Sequence, residues 1–229
     1  MDQYDRLGEL EERIGYRFRD PALLRQAMTH SSFTNEQRNG DFPHYERVEY
    51  LGDAVLEMVS SDYFYHAYPG EPEGELTKRR ASAVCEQALA ITARDLALGS
   101  FMVFGKGEAH TGGSDRDSII ADAVEALIGA IYLDSGIDEA RRFIHTFVLN
   151  DLDKKRLFYD AKSILQEKVQ EIKDAALCYE LVREEGPEHD KSFVMNAVLN
   201  GKVIGTGTGK NKKSAQQQAA YDALSHQRI

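Results

Sequence analysis

Apolar residues recur at three- and four-residue spacing through most of the first ~150 positions, the period of helices with one face against a core. "GELEERIGYRFRDPALLRQAMTH" (Gly8–His30) predicts two short helices broken at Asp20-Pro21, with the proline at a first helical position. "HYERVEYLGDAVLEMVSSDYFYHAY" (His44–Tyr68) predicts a long helix stopped by Pro69-Gly70. "GELTKRRASAVCEQALAITARDLALG" predicts one alanine-rich helix ending at Gly99 as its C′ glycine. "GKGEAHTGGSDRDS" (Gly105–Ser118) reads as a polar, glycine-rich loop, and "SIIADAVEALIGAIYLDSG" (Ser118–Gly136) as a buried helix followed by another. Near residue 160 the pattern changes. A helix in "DAKSILQEKVQEIKD" is followed by strand-like "LCYELVREEG", "SFVMNAVLN" and "KVIGTGTG", then by a helix in "KKSAQQQAAYDAL". Asn200-Gly201 predicts a type I′ hairpin turn, which needs positive φ at both positions. The fold class is therefore a mostly α domain followed by a small α+β domain of α-β-β-β-α order.

The 229 residues allow one large or two modest domains. No run of about 18 apolar residues predicts a membrane span, and the acidic start "MDQYDRLGELEERIG" lacks a secretory signal's basic and apolar regions. Cys85 and Cys178 match no zinc spacing, so a reduced, cytoplasmic protein is expected. A net charge of −10 argues against a nucleic-acid partner until its distribution is considered. Residues 160–229 carry 10 Lys+Arg against 10 Asp+Glu, while the preceding 159 carry 18 against 28. "GKNKK" (Gly209–Lys213) is a local basic patch able to meet phosphate.

At 100° per residue, Glu46, Glu49, Asp53 and Glu57 fall within about 80° of one another on their helix. A solvated face is the ordinary meaning of such a stripe. Asp122 and Glu125 form a second pair at i, i+3 in a run with few other polar positions. Like charges on a buried face are costly unless compensated, and the run holds no Lys, Arg or His. Two helices each offering two carboxylates make a site for a hard divalent cation such as Mg²⁺.

"ERVEYLGDAVL" closely resembles the signature segment of ribonuclease III. "LEERIGYRFRDPALLRQAMTHSS" is similar to that family's N-terminal segment, and "SIIADAVEALIGAIYLDSG" to its second acidic motif. "LQEKVQ", "GPEHDKSF" and "GTGTGKNKKSAQQQAA" resemble a double-stranded-RNA-binding domain. The resemblance implies a nuclease domain at 1–153, a linker at 154–159 and an RNA-binding domain at 160–229. It implies metal ligands Glu49, Asp53, Asp122 and Glu125, with Asp53 and Glu125 catalytic, and Glu46 as an acid near the site. Glu73 matches an acid reaching the partner subunit's cleft, although Glu75 stands two residues away. Tyr50 stands where the family commonly has Phe at the subunit interface. Glu57 matches no ligand and is expected to be solvated.

The activity implied is Mg²⁺-dependent cleavage of double-stranded RNA by a homodimer, with Mn²⁺ able to substitute. Products would carry 5′-phosphate and 3′-hydroxyl ends, and substrates would include rRNA and mRNA precursors. The alternative is a non-catalytic RNA-binding scaffold of the same fold. Duplex RNA is read through minor-groove 2′-hydroxyls and phosphates. Ser163, Gln166, Glu167 and Gln170 share one helix face, His189 lies in the loop between the first two strands, and Lys210, Lys212 and Lys213 sit where the last helix begins. Gln216 replaces a glutamate frequent in the family. His30 is expected to be structural, and Cys85 a small buried residue.

Overall fold

The structure is a computed structural model that describes residues 4–37, 43–186 and 191–226. The chain forms two compact units, Met1–Leu152 and Asp153–Ile229.

In the first unit, α1 (Leu7–Ile14), α2 (Pro21–Ala27) and α3 (Ser31–Glu36) precede the long α4 (Glu46–Ala67). Asp20 caps α2 by accepting the Ala22 N–H at 2.9 Å, with Pro21 opening the helix. α5 (Glu73–Val84), α6 (Glu86–Asp95) and α7 (Lys106–His110) lead to α8 (Asp117–Ser135) and α9 (Ile137–Phe143), which runs into a π-turn at Ile144–Val148. α8 packs against α2, α4, α6 and α9. This surrounding explains why its sequence is apolar nearly all round. Leu127, Ile128 and Ile131 are fully buried, each side chain contributing about 1.5–3 kcal/mol.

Four expectations need correction here. The single helix expected up to Gly99 is two helices, because Cys85 adopts an extended conformation (φ −69°, ψ 157°) that ends α5 and starts α6. No Gly or Pro marks this break, and periodicity continues across it. The left-handed residue after α6 is Ala97 (φ 51°) rather than Gly99. A Cβ on Gly99 would lie 2.0 Å from the Ser114 carbonyl oxygen, so that glycine serves close packing. The expected loop at 105–118 contains α7 and a 3-10 turn at Gly113–Asp115. The Glu36 carboxylate accepts the Lys106 and Gly107 N–H groups that open α7. Cys85 itself is only half-buried.

α10 (Leu152–Tyr159) begins at the last residue of the first unit, and in the second unit α11 (Ala161–Gln170) precedes the sheet. β1 (Leu177–Glu185), β2 (Ser192–Leu199) and β3 (Lys202–Gly209) pair antiparallel in that order. The β2–β3 turn has Asn200 at φ 50° and Gly201 at φ 80°, the positive pair that a type I′ turn requires. α12 (Lys212–Ser225) buries Ala215, Ala219, Ala220, Ala223 and Leu224. Ala219, Ala220, Ala223 and Leu224 form a core with Leu165, Val169, Ala197 and Ile204.

Candidate active site

Two glycines bring α4 and α8 into main-chain contact. A Cβ on Gly52 would stand 1.8 Å from the Glu125 carbonyl oxygen, and one on Gly129 would stand 2.2 Å from the Val48 carbonyl oxygen. No side chain separates the helices at this crossing. Glu49 and Asp53 flank Gly52 on α4, while Asp122 and Glu125 lie one to two turns before Gly129 on α8. The crossing therefore gathers acids that are distant in sequence.

Glu49, Asp122 and Glu125 each present a carboxylate oxygen within 4.8 Å of the others, and all three are half-buried. Asp53 stands exposed beside them, and its charge helps raise the carboxyls of Glu49 and Glu125. Burial, then repulsion from Asp53, Asp122, Glu49 and Glu57, pushes Glu125 up to about 8. Burial, then Asp122, Glu46 and Asp53, pushes Glu49 up to about 7. Asp122 is raised by burial, with Glu86 and Glu46 adding to the rise and a hydrogen bond from Tyr45 opposing it. Two carboxylates about 5 Å apart repel by roughly 3 kcal/mol at an effective dielectric of about 20. The group must therefore hold protons or a cation. Its donors are hard oxygens, and it opens to solvent at Asp53, which fits a divalent cation that keeps some water ligands.

Glu46 is exposed, with its Oε2 3.8 Å from His44 Nδ1. Glu57, expected to be solvated, instead pairs with Arg80 at 2.8 Å; α5 brings a cation that α4's own sequence does not show. Glu73 lines an open groove with Asp62, Tyr65 and Arg80, whereas Glu75 pairs locally with Lys78 at 2.7 Å. Tyr50 is 80% exposed on α4, and Met58 and Tyr65 are 52% and 67% exposed. These three fall within about 80° of one another around the helix. His30 is structural: its Nδ1 lies 2.8 Å from Ser32 Oγ and accepts the Ser32 N–H at the start of α3.

In the second unit, Ser163, Gln166, Glu167 and Gln170 are all exposed on α11. Glu167 lies 3.9 Å from Arg156 Nη2. Lys210, Lys212 and Lys213 are exposed around the start of α12, which is closed by a capping box between Asn211 and Ser214. Gln216 accepts a hydrogen bond from Lys162 Nζ at 2.6 Å, tying α12 to α11. His189 lies outside the described residues.

Sequence reasoning missed Gly52, Gly129, Tyr45, Glu86 and Arg80. A glycine within a strongly helical run, which costs about 1 kcal/mol relative to alanine, was the available signal for the first two. Nothing local marks the others, because their role depends on a distant element.

Residues 20–152 match the ribonuclease-III-like family, and residues 161–227 match the double-stranded RNA binding motif. A "Ribonuclease 3" of Desulforamulus reducens is 46% identical over 227 residues, covering 98% of this chain and 92% of the relative. One of Pelotomaculum thermopropionicum is 47% identical over 226 residues, covering 97% and 94%. A solved nuclease domain of ribonuclease III from Campylobacter jejuni, described for structural flexibility in a region involved in dimer formation, superposes with a TM-score of 0.58 at 37% identity. It covers 62% of this chain and 95% of its own.

Proposed function

Because this chain belongs to the ribonuclease III family and is an endoribonuclease of double-stranded RNA, we propose that Glu49, Asp53, Asp122 and Glu125 hold its catalytic cation and that Asp53 and Glu125 are the catalytic pair. Nucleases of this family depend on divalent metal. The ion proposed here is Mg²⁺, with Mn²⁺ as a substitute. The observation that carries the reading is the packing of three mutually repelling carboxylates within 4.8 Å. When bound, the cation would offset charge on the scissile phosphate and make water a better nucleophile. The protein's own part is to hold the oxygen donors close together at the α4–α8 crossing and to place Asp53 at the rim, where substrate arrives.

Tyr50, Met58 and Tyr65, exposed along one side of α4, support a homodimer interface, since large apolar side chains left in water on one side of a helix suit a contact surface. Two sites related by a two-fold axis would cut the two strands of a duplex, leaving 5′-phosphate and 3′-hydroxyl ends. Glu46 and Glu73 are proposed as further acids of the cleft. The second domain, divided from the nuclease domain 1–153 by residues 154–159, would grip RNA through Ser163, Gln166, Glu167, Gln170, His189, Lys210, Lys212 and Lys213. Processing of rRNA and mRNA precursors in the cytoplasm fits this activity. Among the described residues no helix is long and apolar enough to cross a membrane.

The test is cleavage of a long RNA duplex with and without Mg²⁺, by wild type and Glu125→Gln, with the ends mapped. Metal-dependent cutting lost in the variant, with duplex binding kept, supports the assignment. Cutting by Glu125→Gln at the wild-type rate refutes it. A wild-type protein that binds but never cuts would indicate the scaffold alternative.

A further inference from the structure

Asp122 is the aspartate among the three clustered carboxyls, and its half-buried carboxylate must be held in place to act with the other two. It is repelled by Glu46 and Glu86, and an aspartate turns freely about its two side-chain bonds unless something holds it. Among the described residues, the hydrogen bond on its carboxylate comes from Tyr45, whose phenol O–H reaches Asp122 Oδ2 at 3.2 Å from a position 77 residues earlier.

Tyr45 is built to keep that hydroxyl in place. Only 5% of the residue is exposed. Its N–H donates to the Thr29 carbonyl at 2.9 Å, and its own carbonyl accepts the Val48 and Glu49 N–H groups that open α4. Its ring lies 5.5 Å from that of His30, which in turn lies 5.3 Å from Phe104. His30 cannot swivel away, because its Nδ1 is engaged by Ser32, whose Oγ also accepts the Gly105 N–H. The main chain and two tilted ring contacts thus aim one phenol at one carboxylate oxygen.

Resting on the metal-site reading above, we infer that Tyr45 is a positioning residue: it orients the Asp122 carboxylate toward the cation and holds it against the repulsion of its neighbours. A phenol is protonated at neutral pH and so is always available as a donor here. Partners of this kind, one bond behind a ligand, govern how tightly the ligand set holds its metal.

The test uses the full-length protein and Tyr45→Phe, which keeps the ring and removes only the hydroxyl. Mn²⁺ affinity is measured by calorimetry without RNA. It is expected to fall about tenfold, the lower end of such effects. The Mg²⁺ concentration giving half-maximal cleavage should rise similarly, while kcat at saturating Mg²⁺ stays within about threefold of wild type. In an Asp122→Asn background, adding Tyr45→Phe should change Mn²⁺ affinity no further. Asp122→Asn and Glu125→Gln alone identify the site. If both bind Mn²⁺ like wild type, the site reading fails and the role of Tyr45 falls with it. If either variant weakens Mn²⁺ binding but Tyr45→Phe leaves it unchanged, or lowers it by the same factor with and without Asp122→Asn, the inference about Tyr45 alone is overturned.

Discussion

Replacing Glu125 by glutamine removes one negative charge and keeps the side-chain volume. In the metal-free protein that charge is a burden, because burial and four neighbouring carboxylates raise the Glu125 carboxyl from 4.5 to about 8. A carboxyl raised on folding stabilises the folded state fully below its unfolded value. That stability is lost as pH climbs through the folded one. The window is therefore about pH 4.5 to 8. With each tenfold change in proton affinity worth about 1.4 kcal/mol, the full loss is on the order of 5 kcal/mol. Neighbouring carboxylates share the titration and solvent reaches the rim, so about 2 kcal/mol is a fair expectation after screening. For a unit of this size that is about 4–8 °C in Tm. In EDTA, Glu125→Gln should therefore melt higher than wild type at pH 8, with the gap shrinking to about 1–2 °C at pH 5 near the lower end of the window, as followed by calorimetry. Adding Mg²⁺ at pH 8 should raise the wild type and leave the variant nearly unmoved. A variant that melts at or below the wild type at pH 8 in EDTA would refute the argument that these carboxylates repel one another in the fold.

Gly52→Ala should destabilise the protein by about 1–3 kcal/mol and reduce cleavage, because its Cβ meets the Glu125 carbonyl and the helices must part; unchanged Tm and rate would show that the crossing yields freely. A chain ending at Asp153, before Leu157 and the core it packs on, is expected to run as a dimer by light scattering and to cut duplex RNA at low salt, with binding lost at moderate salt. If that chain is monomeric, the Tyr50 face is not the interface. Replacing Lys212 and Lys213 with Ala should lower the slope of log affinity against log salt by roughly 1.8 if each meets a phosphate, uniformly across duplex sequences; an unchanged slope would leave them a solvated helix start. Gln166→Ala should weaken binding with little change in slope and reduce preference for RNA over DNA.

The parts of this molecule legible in the sequence are those where local chemistry and global packing agree. Pro21 and Asp20, the Asn200-Gly201 turn and the alanine face of α12 each carry their structure within a few residues. The break at Cys85 does not. Helical periodicity runs through it, and the turn there accompanies the burial of Ala88, Leu89 and Ala93 on α6. The acidic group was half legible. Charge and spacing marked the stripe Glu46, Glu49, Asp53 and Glu57 and the pair Asp122 and Glu125, and the family resemblance picked the ligands out of the stripe, but the Arg80 that pairs with Glu57 and the phenol that meets Asp122 come from elements far away in sequence. α7 was hidden for a related reason, since the carboxylate that caps it is Glu36, about seventy residues upstream.

The contact at Gly52 and Gly129 has a consequence for how such a chain can change over generations. Where side chains separate two helices, every substitution in the seam resets their distance, and a functional group straddling it drifts with the core. Here the gauge is backbone on backbone. Exchanges such as Leu56→Met or Val124→Ile alter volumes beside the crossing without entering it. Substitution elsewhere in the interior thus leaves the interval between the two acidic rows set by this main-chain contact. Two residues with no side chain set the spacing at which the acids of both helices meet.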